Sequence, residues 1–239
     1  MTMKYSTSFI IGVEQFALNE GFCVPVTVDF HKAPHMLIAA PSGSGKTYAL
    51  RYIMKQLRGR GIVYLCDFKG ADFFGLQGCP RYYKHFAVSD GLNEVYGILQ
   101  SRMEEPQAQN KPIYLVFDEW TGFVNSLPKK DQCEYQCKLS SILMLGRGVG
   151  VFVILSLQRA DSTNFMNGAR DNFGNALGLG RLSRESARML FPDDTDMIQP
   201  KPRGKGYLRT DGRDLTEVVI PQIRDLNKTE QLIKQLLTF

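Results

Sequence analysis

The segment of residues 41–47 reads PSGSGKT and places glycines, hydroxyl side chains and one lysine between an apolar run and a helix-like stretch. Glycines let the backbone turn so that successive N–H groups face one anion. The helix that follows offers its positive N-terminal end to the same anion. With Ala40 in place of the usual first glycine, the pattern predicts a phosphate-binding loop for ATP.

Within this loop each residue type has a predicted role. Lys46 is expected to reach the outer phosphates as a point charge, and the hydroxyl of Thr47 to coordinate Mg²⁺. The alternative is a glycine-rich surface turn that carries an exposed lysine, which the preceding strand and the following helix disfavour. The predicted ATP contacts are Pro41, Ser42, Gly43, Ser44, Gly45, Lys46, Thr47 and Tyr48.

A second segment, residues 112–119, reads PIYLVFDE and ends an apolar run with two acids. Such a run predicts a buried strand that delivers both carboxylates to the carboxyl edge of a parallel sheet, where ligands bind. Asp118 is expected to hold Mg²⁺, and Glu119 to orient and deprotonate an attacking water. Taken alone, the acids could instead cap the next helix, but the loop at 40–47 favours the catalytic interpretation. An Asp-Glu pair indicates hydrolysis rather than phosphate transfer to a bound acceptor.

These residues need a scaffold of alternating strands and helices, and the chain has that pattern. Continuously apolar runs at 35–40, 62–66, 113–117 and 149–157 are typical of parallel strands that are covered on both faces. Helical periodicity at 46–58, 92–103, 133–145 and 184–190 fills the intervals and predicts an α/β fold. Later residues predict a strand at 175–180, a hairpin of 206–209 with 216–220, and a last helix capped by Asn227.

The composition of the 239 residues, 44% hydrophobic and 22% charged, is that of a globular protein. The sequence contains no apolar run of 18 residues and no signal-peptide pattern. Its five cysteines are typical of reduced thiols. We therefore expect a cytoplasmic protein with no membrane segment of its own, recruited to the membrane by partners. A net charge of +5 permits an anionic partner without requiring one.

Residues 143–160 read LMLGRGVGVFVILSLQRA, in which an arginine, a short turn and an apolar strand lead to Gln158. This stretch resembles the Arg-x-x-Gly and Thr-Gln-Arg-Pro motifs of the FtsK/HerA superfamily of DNA-pumping ATPases. It looks most similar to FtsK/SpoIIIE-type motors and to the coupling ATPases of conjugative elements. Residues 34–57 and YLCDFKGADF at 64–73 resemble the first motif and the Asp-x-Lys-Gly strand of that superfamily. The resemblance covers about residues 34 to 220.

The resemblance implies a RecA-like P-loop NTPase core with a mostly parallel central sheet flanked by helices. It implies that the strand ending at Gln158 lies between the other two site strands, with Gln158 as a γ-phosphate sensor. Arg147 would enter the neighbouring subunit's site as an arginine finger, although an arginine at a helix end also stabilises the helix dipole. We expect one ATPase domain, 1–239, made of a β extension (1–33), a core (34–222) and a C-terminal helix (223–239).

The resemblance also implies a hexameric ring with double-stranded DNA in its pore. Residues 201–209 read KPRGKGYLR and carry Lys201, Arg203 and Lys205 with no acid, which suits contacts to the DNA backbone. A solvated basic loop is an equal alternative. We expect this loop to lie outside the nucleotide motifs.

These features together predict an ATP hydrolase that translocates double-stranded DNA, as a coupling or transfer ATPase of a conjugative or other mobile element. Its partners would then include a membrane protein or a relaxase supplied by other chains. The alternative is a protein-secretion or packaging ATPase of the same superfamily. A scaffold that binds nucleotide without turnover is disfavoured, because the full set of site residues is present.

Overall fold

A computed structural model describes residues 5–105, 111–160, 164–166 and 168–239. Ten strands form a single sheet in the order β2-β1-β10-β9-β8-β3-β7-β6-β4-β5. The strands are β1 (Ser8–Glu14), β2 (Pro25–Asp29), β3 (Met36–Ala39), β4 (Ile62–Asp67), β5 (Tyr82–Lys84), β6 (Ile113–Asp118), β7 (Val151–Leu157), β8 (Asn175–Leu179), β9 (Lys205–Thr210) and β10 (Thr216–Val219).

Helices cover both faces of this sheet. They are α1 (Gln15–Asn19), α2 (Lys46–Gln56), α3 (Val88–Glu104), α4 (Trp120–Ser126), α5 (Lys129–Val149), α6 (Arg184–Leu190) and α7 (Leu226–Thr238). Alternate strand residues point to opposite faces, so Ile38 packs in the cluster with α2 and α7, and Leu37 in the cluster with α3, α4 and α5. Since both faces are buried, the central strands are continuously apolar, as the sequence pattern predicted.

The central strands β8, β3, β7, β6, β4 and β5 pair in parallel. The other four strands add an antiparallel edge, so the mostly parallel α/β fold of a P-loop NTPase is confirmed. Strand β7 lies between β3 and β6. That position brings the three carboxyl ends together at one edge, as the sequence resemblance implied.

Some element boundaries differ from the sequence prediction. The short helix α1 was not predicted, and α3 and α5 begin about one turn earlier than their periodicity indicated. The cap of α7 is Asp225, whose carboxylate accepts a hydrogen bond from the Lys228 N–H at 2.8 Å. Asn227, predicted as the cap, lies inside the helix, because the extended backbone of Asp225 already places a carboxylate over the open N–H groups.

Strand β1 pairs with β2 on one side and with β10 on the other. The predicted extension at 1–33 therefore adds strands to the same sheet as the core, and the division into 1–33, 34–222 and 223–239 stays a prediction. No helix in the described part of the chain is both long and apolar enough to cross a membrane.

A buried histidine joins the central strands to α5. His35 precedes β3 and accepts a hydrogen bond from the Val153 N–H at its Nδ1, at 3.0 Å. Its Nε2 lies 3.0 Å from the carbonyl oxygen of Leu143, to which it donates as a neutral tautomer. Burial lowers the pKa of His35 to about 4, so the ring is neutral at pH 7.

Candidate active site

The predicted phosphate loop connects the end of β3 directly to the start of α2. Gly43 and Gly45 have φ values of 79° and 97°, a left-handed region that suits glycine. Gly45 is the N-cap of α2, and neither a capping side chain nor an acid covers the first turn. The N–H groups of that turn therefore present the positive end of the helix dipole, which favours the binding of an anion.

Two acids from the end of β6 lie beside the loop lysine. The Lys46 Nζ is 2.8 Å from the Glu119 Oε2 and 3.4 Å from the Asp118 Oδ1. The three side chains are only 10%, 7% and 2% exposed, respectively. The structure thus brings Lys46 together with two acids that follow it by 72 and 73 positions in the sequence, because β3 and β6 end at the same edge.

A residue of the neighbouring strand contacts the Asp118 carboxylate and the Glu119 backbone. The Ser156 hydroxyl, on β7, donates a hydrogen bond to Asp118 and lies 3.4 Å from the Glu119 N–H. Glu119 adopts a left-handed backbone with φ 66°, a conformation that non-glycine residues rarely hold. That turn starts α4 and directs the carboxylate of Glu119 towards Lys46.

A second lysine reaches the same carboxylate. The Lys69 Nζ, in the loop after β4, is 2.8 Å from the Glu119 Oε2 and its side chain is 40% exposed. Burial acts to raise the pKa of Glu119, but the two lysines, Lys46 first, outweigh it and hold that pKa below its ordinary value. Glu119 is therefore a buried carboxylate shared by two ammonium groups.

The predicted metal ligands supply a hydroxyl and a carboxylate. Mg²⁺ prefers oxygen ligands and commonly takes one or two carboxylates together with substrate phosphates and waters. Thr47, in the first turn of α2, and Asp118, at the end of β6, provide such donors on the two sides of Lys46. The Thr47 hydroxyl donates to the Asp72 carboxylate at 3.0 Å. This donor set fits Mg²⁺ that binds with a nucleotide.

Gln158 and Arg147 lie at opposite ends of β7. Gln158 follows the last residue of the strand, where Leu157 pairs with Ala39 at the start of the phosphate loop. Arg147 is exposed in the last turn of α5, immediately before β7 begins. The chain therefore places Gln158 at the edge of its own site and Arg147 at the other edge of the sheet.

The expectation that the basic loop lies outside the nucleotide motifs is wrong. The Gly204 N–H donates a hydrogen bond to the Ser44 carbonyl at 3.0 Å. A Cβ on Gly45 would lie 3.6 Å from the Cγ of Arg203. This contact arises because β9 runs antiparallel to β8, so the residues before β9 return to the edge where the phosphate loop lies.

The three basic side chains of this loop differ in their surroundings. Lys201 forms an ion pair with Glu217 at 2.6 Å and lies over the ring of Tyr207, whereas Arg203 is exposed and Lys205 is half-buried. Tyr48, predicted among the ATP contacts, accepts a hydrogen bond at its hydroxyl from the backbone of Ile223. Its side chain therefore secures α2 to the segment before α7.

Sequence reasoning missed three residues that contact the site: Lys69, Asp72 and Ser156. The Asp-x-Lys-Gly motif at 67–70 was a signal for the first of them, because it places a lysine directly after a strand of the parallel sheet. Ser156 follows only from the strand order, since a serine inside an apolar strand carries no signal by itself.

Comparisons with known proteins bear on the family and on the fold of the chain. No protein-family model matches the chain. The FtsK domain-containing protein YdcQ of Bacillus subtilis is 31% identical over 216 residues, which cover 82% of this chain and 45% of YdcQ. The chain thus spans less than half the length of that curated relative.

Solved structures share the fold at low sequence identity. The cytoplasmic domain of the type VII secretion ATPase EccC from Thermomonospora curvata has a TM-score of 0.69 at 19% identity, covering 99% of this chain and 32% of EccC. The pCW3 conjugation coupling protein TcpA, solved in a monomer form with ATPγS, has a TM-score of 0.70 at 19% identity. That match covers 98% of this chain and 71% of TcpA.

Proposed function

Because this chain belongs to the family of FtsK-domain proteins, we propose that it is an ATP-hydrolysing motor domain that moves double-stranded DNA. The observation that supports hydrolysis is the buried cluster of Lys46, Asp118 and Glu119 beside an open helix N-terminus. The fold it shares with the secretion ATPase EccC and with the coupling protein TcpA supports the same activity.

In this proposal, the loop and α2 bind the phosphates of ATP through backbone N–H groups, and Lys46 turns from the acids to the outer phosphates. Pro41, Ser42, Gly43, Ser44 and Gly45 complete the loop around the nucleotide, and Tyr48 follows in the first turn of α2. Thr47 and Asp118 would hold Mg²⁺, which would neutralise charge on the phosphates.

Glu119 then acts as the general base. Its carboxylate accepts a proton from a water molecule while the water oxygen attacks the γ-phosphorus, and the bond to the ADP oxygen breaks. Gln158, beside the loop at the end of β7, contacts the γ-phosphate and senses its loss. Arg147 acts on the site of a neighbouring subunit, since it lies at the other edge of its own sheet.

The proposal of DNA as substrate is supported by the basic loop before β9. Arg203 is exposed beside the phosphate loop, and Lys205 begins β9 at the same edge. Contacts of Arg203 and Lys205 with backbone phosphates would hold a duplex without reading its sequence, whereas Lys201 is paired with Glu217. By analogy with the conjugation coupling protein TcpA, we place this activity in a conjugative or other mobile element. The hexameric ring and a relaxase or membrane partner are proposed from the superfamily resemblance of the sequence alone.

A second candidate function is protein secretion or packaging. It is favoured by the likeness of the fold to EccC, a type VII secretion ATPase, over 99% of this chain. In that case the exposed basic loop would contact a polypeptide, and DNA would leave the rate of hydrolysis unchanged.

One experiment tests both the activity and the substrate. The rate of ATP hydrolysis is measured without polymer, with double-stranded DNA, with single-stranded DNA and with an unfolded polypeptide. We expect hydrolysis in wild type, none in Lys46→Ala, and a stimulation that is largest with double-stranded DNA.

The outcomes separate the two candidates. Stimulation by the polypeptide alone would favour the secretion function and contradict DNA translocation. A wild-type chain that binds ATP without hydrolysing it under all four conditions would contradict the assignment as a motor. Lys55→Ala, an exposed lysine on the same helix as Lys46, is the control and should match wild type.

A further inference from the structure

Glu119 shares one carboxylate oxygen between two lysines that have different surroundings. Lys46 is 10% exposed and belongs to the phosphate loop, whereas Lys69 is 40% exposed and belongs to the loop after β4. Each Nζ lies 2.8 Å from the same Oε2 of Glu119. Among the described residues, the other oxygen, Oε1, has no hydrogen-bond or ion-pair partner.

In the proposed reaction the two lysines separate. An ATP bound at the loop takes the charge of Lys46 to its phosphates. Glu119 is then a buried carboxylate, 7% exposed, whose remaining cation is Lys69. A buried carboxylate without a partner loses both its orientation and the stabilisation of its charge. Lys69 is therefore the group that keeps the base in place when the nucleotide is bound.

We propose that Lys69 is a positioning residue for hydrolysis, which holds Oε2 of Glu119 and leaves Oε1 to accept the proton of the attacking water. This inference rests on the proposed function. It assigns a role to a lysine outside the phosphate loop, and the role is to orient the base rather than to touch the nucleotide.

The loop that carries Lys69 also contacts the metal-binding side of the site. Asp72, three residues further on, accepts a hydrogen bond from the Thr47 hydroxyl at 3.0 Å, and its carbonyl accepts one from Arg51. At the base of the loop, the Gly70 N–H donates to the Asp67 carboxylate at 2.9 Å. Thr47 would hold the Mg²⁺ that accompanies the nucleotide, and its hydrogen bond to Asp72 connects that side of the site to the loop that carries Lys69.

The test compares Lys69→Ala, Lys69→Gln and Lys69→Arg with wild type, using ATP and Mg²⁺ with and without double-stranded DNA. A misplacement of about 1 Å in a reacting group costs up to roughly 10²-fold in rate, so we expect kcat to fall by about 10- to 100-fold in Lys69→Ala and Lys69→Gln. Lys69→Arg keeps a cation and should recover part of the loss. The affinity for ATP and the melting temperature should stay near the wild-type values.

A second measurement connects the effect to Glu119. Because Lys69 acts through that carboxylate, adding Lys69→Ala to Glu119→Gln should lower kcat no further than Glu119→Gln alone. An additive loss would mean that Lys69 acts elsewhere.

The results that overturn this inference differ from those that overturn the proposed function. If Glu119→Gln stops hydrolysis while Lys69→Ala has a kcat equal to or above that of wild type, only the role of Lys69 is wrong. If wild type itself does not hydrolyse ATP, or if Glu119→Gln turns over normally, the proposed chemistry is wrong and the inference fails with it. A loss of ATP affinity that matches the loss of kcat would make Lys69 a nucleotide-binding residue instead.

Discussion

At the scale of single residues, Glu119 and Lys46 occupy one ion-paired cluster but serve different steps of the proposed reaction. The lysine belongs to the anion site, and the carboxylate lies just outside it, held by two ammonium groups. Substitutions at these positions should therefore separate binding from turnover.

Glu119→Gln should keep ATP binding and stop turnover. The amide retains the shape of the side chain but does not accept a proton from water, and loss of a general base costs about 10²- to 10⁴-fold in kcat. Single-turnover hydrolysis and fluorescence titration with a labelled nucleotide measure the two steps. Lys46→Ala should weaken ATP binding and also stop turnover, because the phosphates then lack the ammonium group of Lys46.

The matched control for this substitution is Glu104→Gln, which changes an exposed carboxylate at the end of α3. Its kcat and its ATP affinity should equal those of wild type. Normal turnover in Glu119→Gln would remove Glu119 from the role of base.

At the scale of the elements, His35 links β3, β7 and α5, which together determine the position of the phosphate loop. Its pKa is lowered to about 4 in the folded chain by burial, against 6.5 in an unfolded chain. His35 binds a proton more weakly in the folded chain than in the unfolded chain, so protonation of His35 favours unfolding. The stability that it confers is complete above pH 6.5 and is lost as the pH falls towards 4.

We expect the free energy of unfolding to fall by about 1.4 kcal/mol more in wild type than in His35→Asn between pH 7.5 and pH 5.5. Asparagine tolerates the left-handed backbone of this position, where φ is 59°, and does not titrate. Urea unfolding at the two pH values gives the comparison. An equal fall in both proteins would show that His35 does not set this pH dependence.

At the same scale, the position of the basic loop before β9 predicts which of its side chains contact DNA. Lys201 is paired with Glu217, so Arg203 and Lys205 are the side chains that we expect to reach DNA phosphates. Replacing both by alanine removes up to two contacts, and the slope of log affinity against log salt should fall by about 1.8 on duplex DNA. The fall should be the same for two unrelated sequences, because backbone contacts carry no base code.

Lys55→Ala with Arg58→Ala is the control for that salt titration, because it removes the same charge from exposed positions in the last turn of α2 and just after it. Its slope should equal that of wild type. An unchanged slope in the loop variant would mean that the loop is solvated and contacts no DNA. Since the loop touches the phosphate loop through Gly204 and Ser44, we also expect basal hydrolysis to change in the loop variant.

At the scale of the whole molecule, the proposed motor depends on contacts between subunits. Arg147 and Lys46 lie at opposite edges of the sheet, so an arginine finger at Arg147 acts only on a neighbour. Hydrolysis per subunit should then rise with protein concentration. Such a finger contributes about 10³- to 10⁵-fold in rate in related phosphoryl-transfer sites.

Mixing Arg147→Ala subunits with Lys46→Ala subunits should restore part of the activity. In mixed rings, some sites combine an intact phosphate loop with an intact neighbouring arginine. Hydrolysis of the mixture is measured against each variant alone, with assembly checked by light scattering. Mixed rings that form but stay inactive would leave Arg147 with the role of stabilising the C-terminal end of α5.

The sequence by itself predicted the phosphate loop, the Asp-Glu strand end, the α/β class and most helices and strands. Each of these features is local: the glycine spacing at 41–47, the apolar run before Asp118 and the periodicity of α2 are all contained within a few turns of chain. The strand order that places β7 between β3 and β6 came from the family resemblance, and the structure shares it.

Only the tertiary structure decided which other side chains meet at the site. Lys69 contacts Glu119 across 50 positions, Ser156 contacts Asp118 across 38, and Gly204 contacts Ser44 across a longer interval still. Each contact depends on which strands are neighbours and on their direction, because carboxyl ends of parallel strands share an edge and an antiparallel strand returns to it. The spacing of residues along the sequence does not indicate which strands are neighbours. The contact of Lys69 with Glu119 and the contact of the basic loop with the phosphate loop were therefore found only in the folded structure.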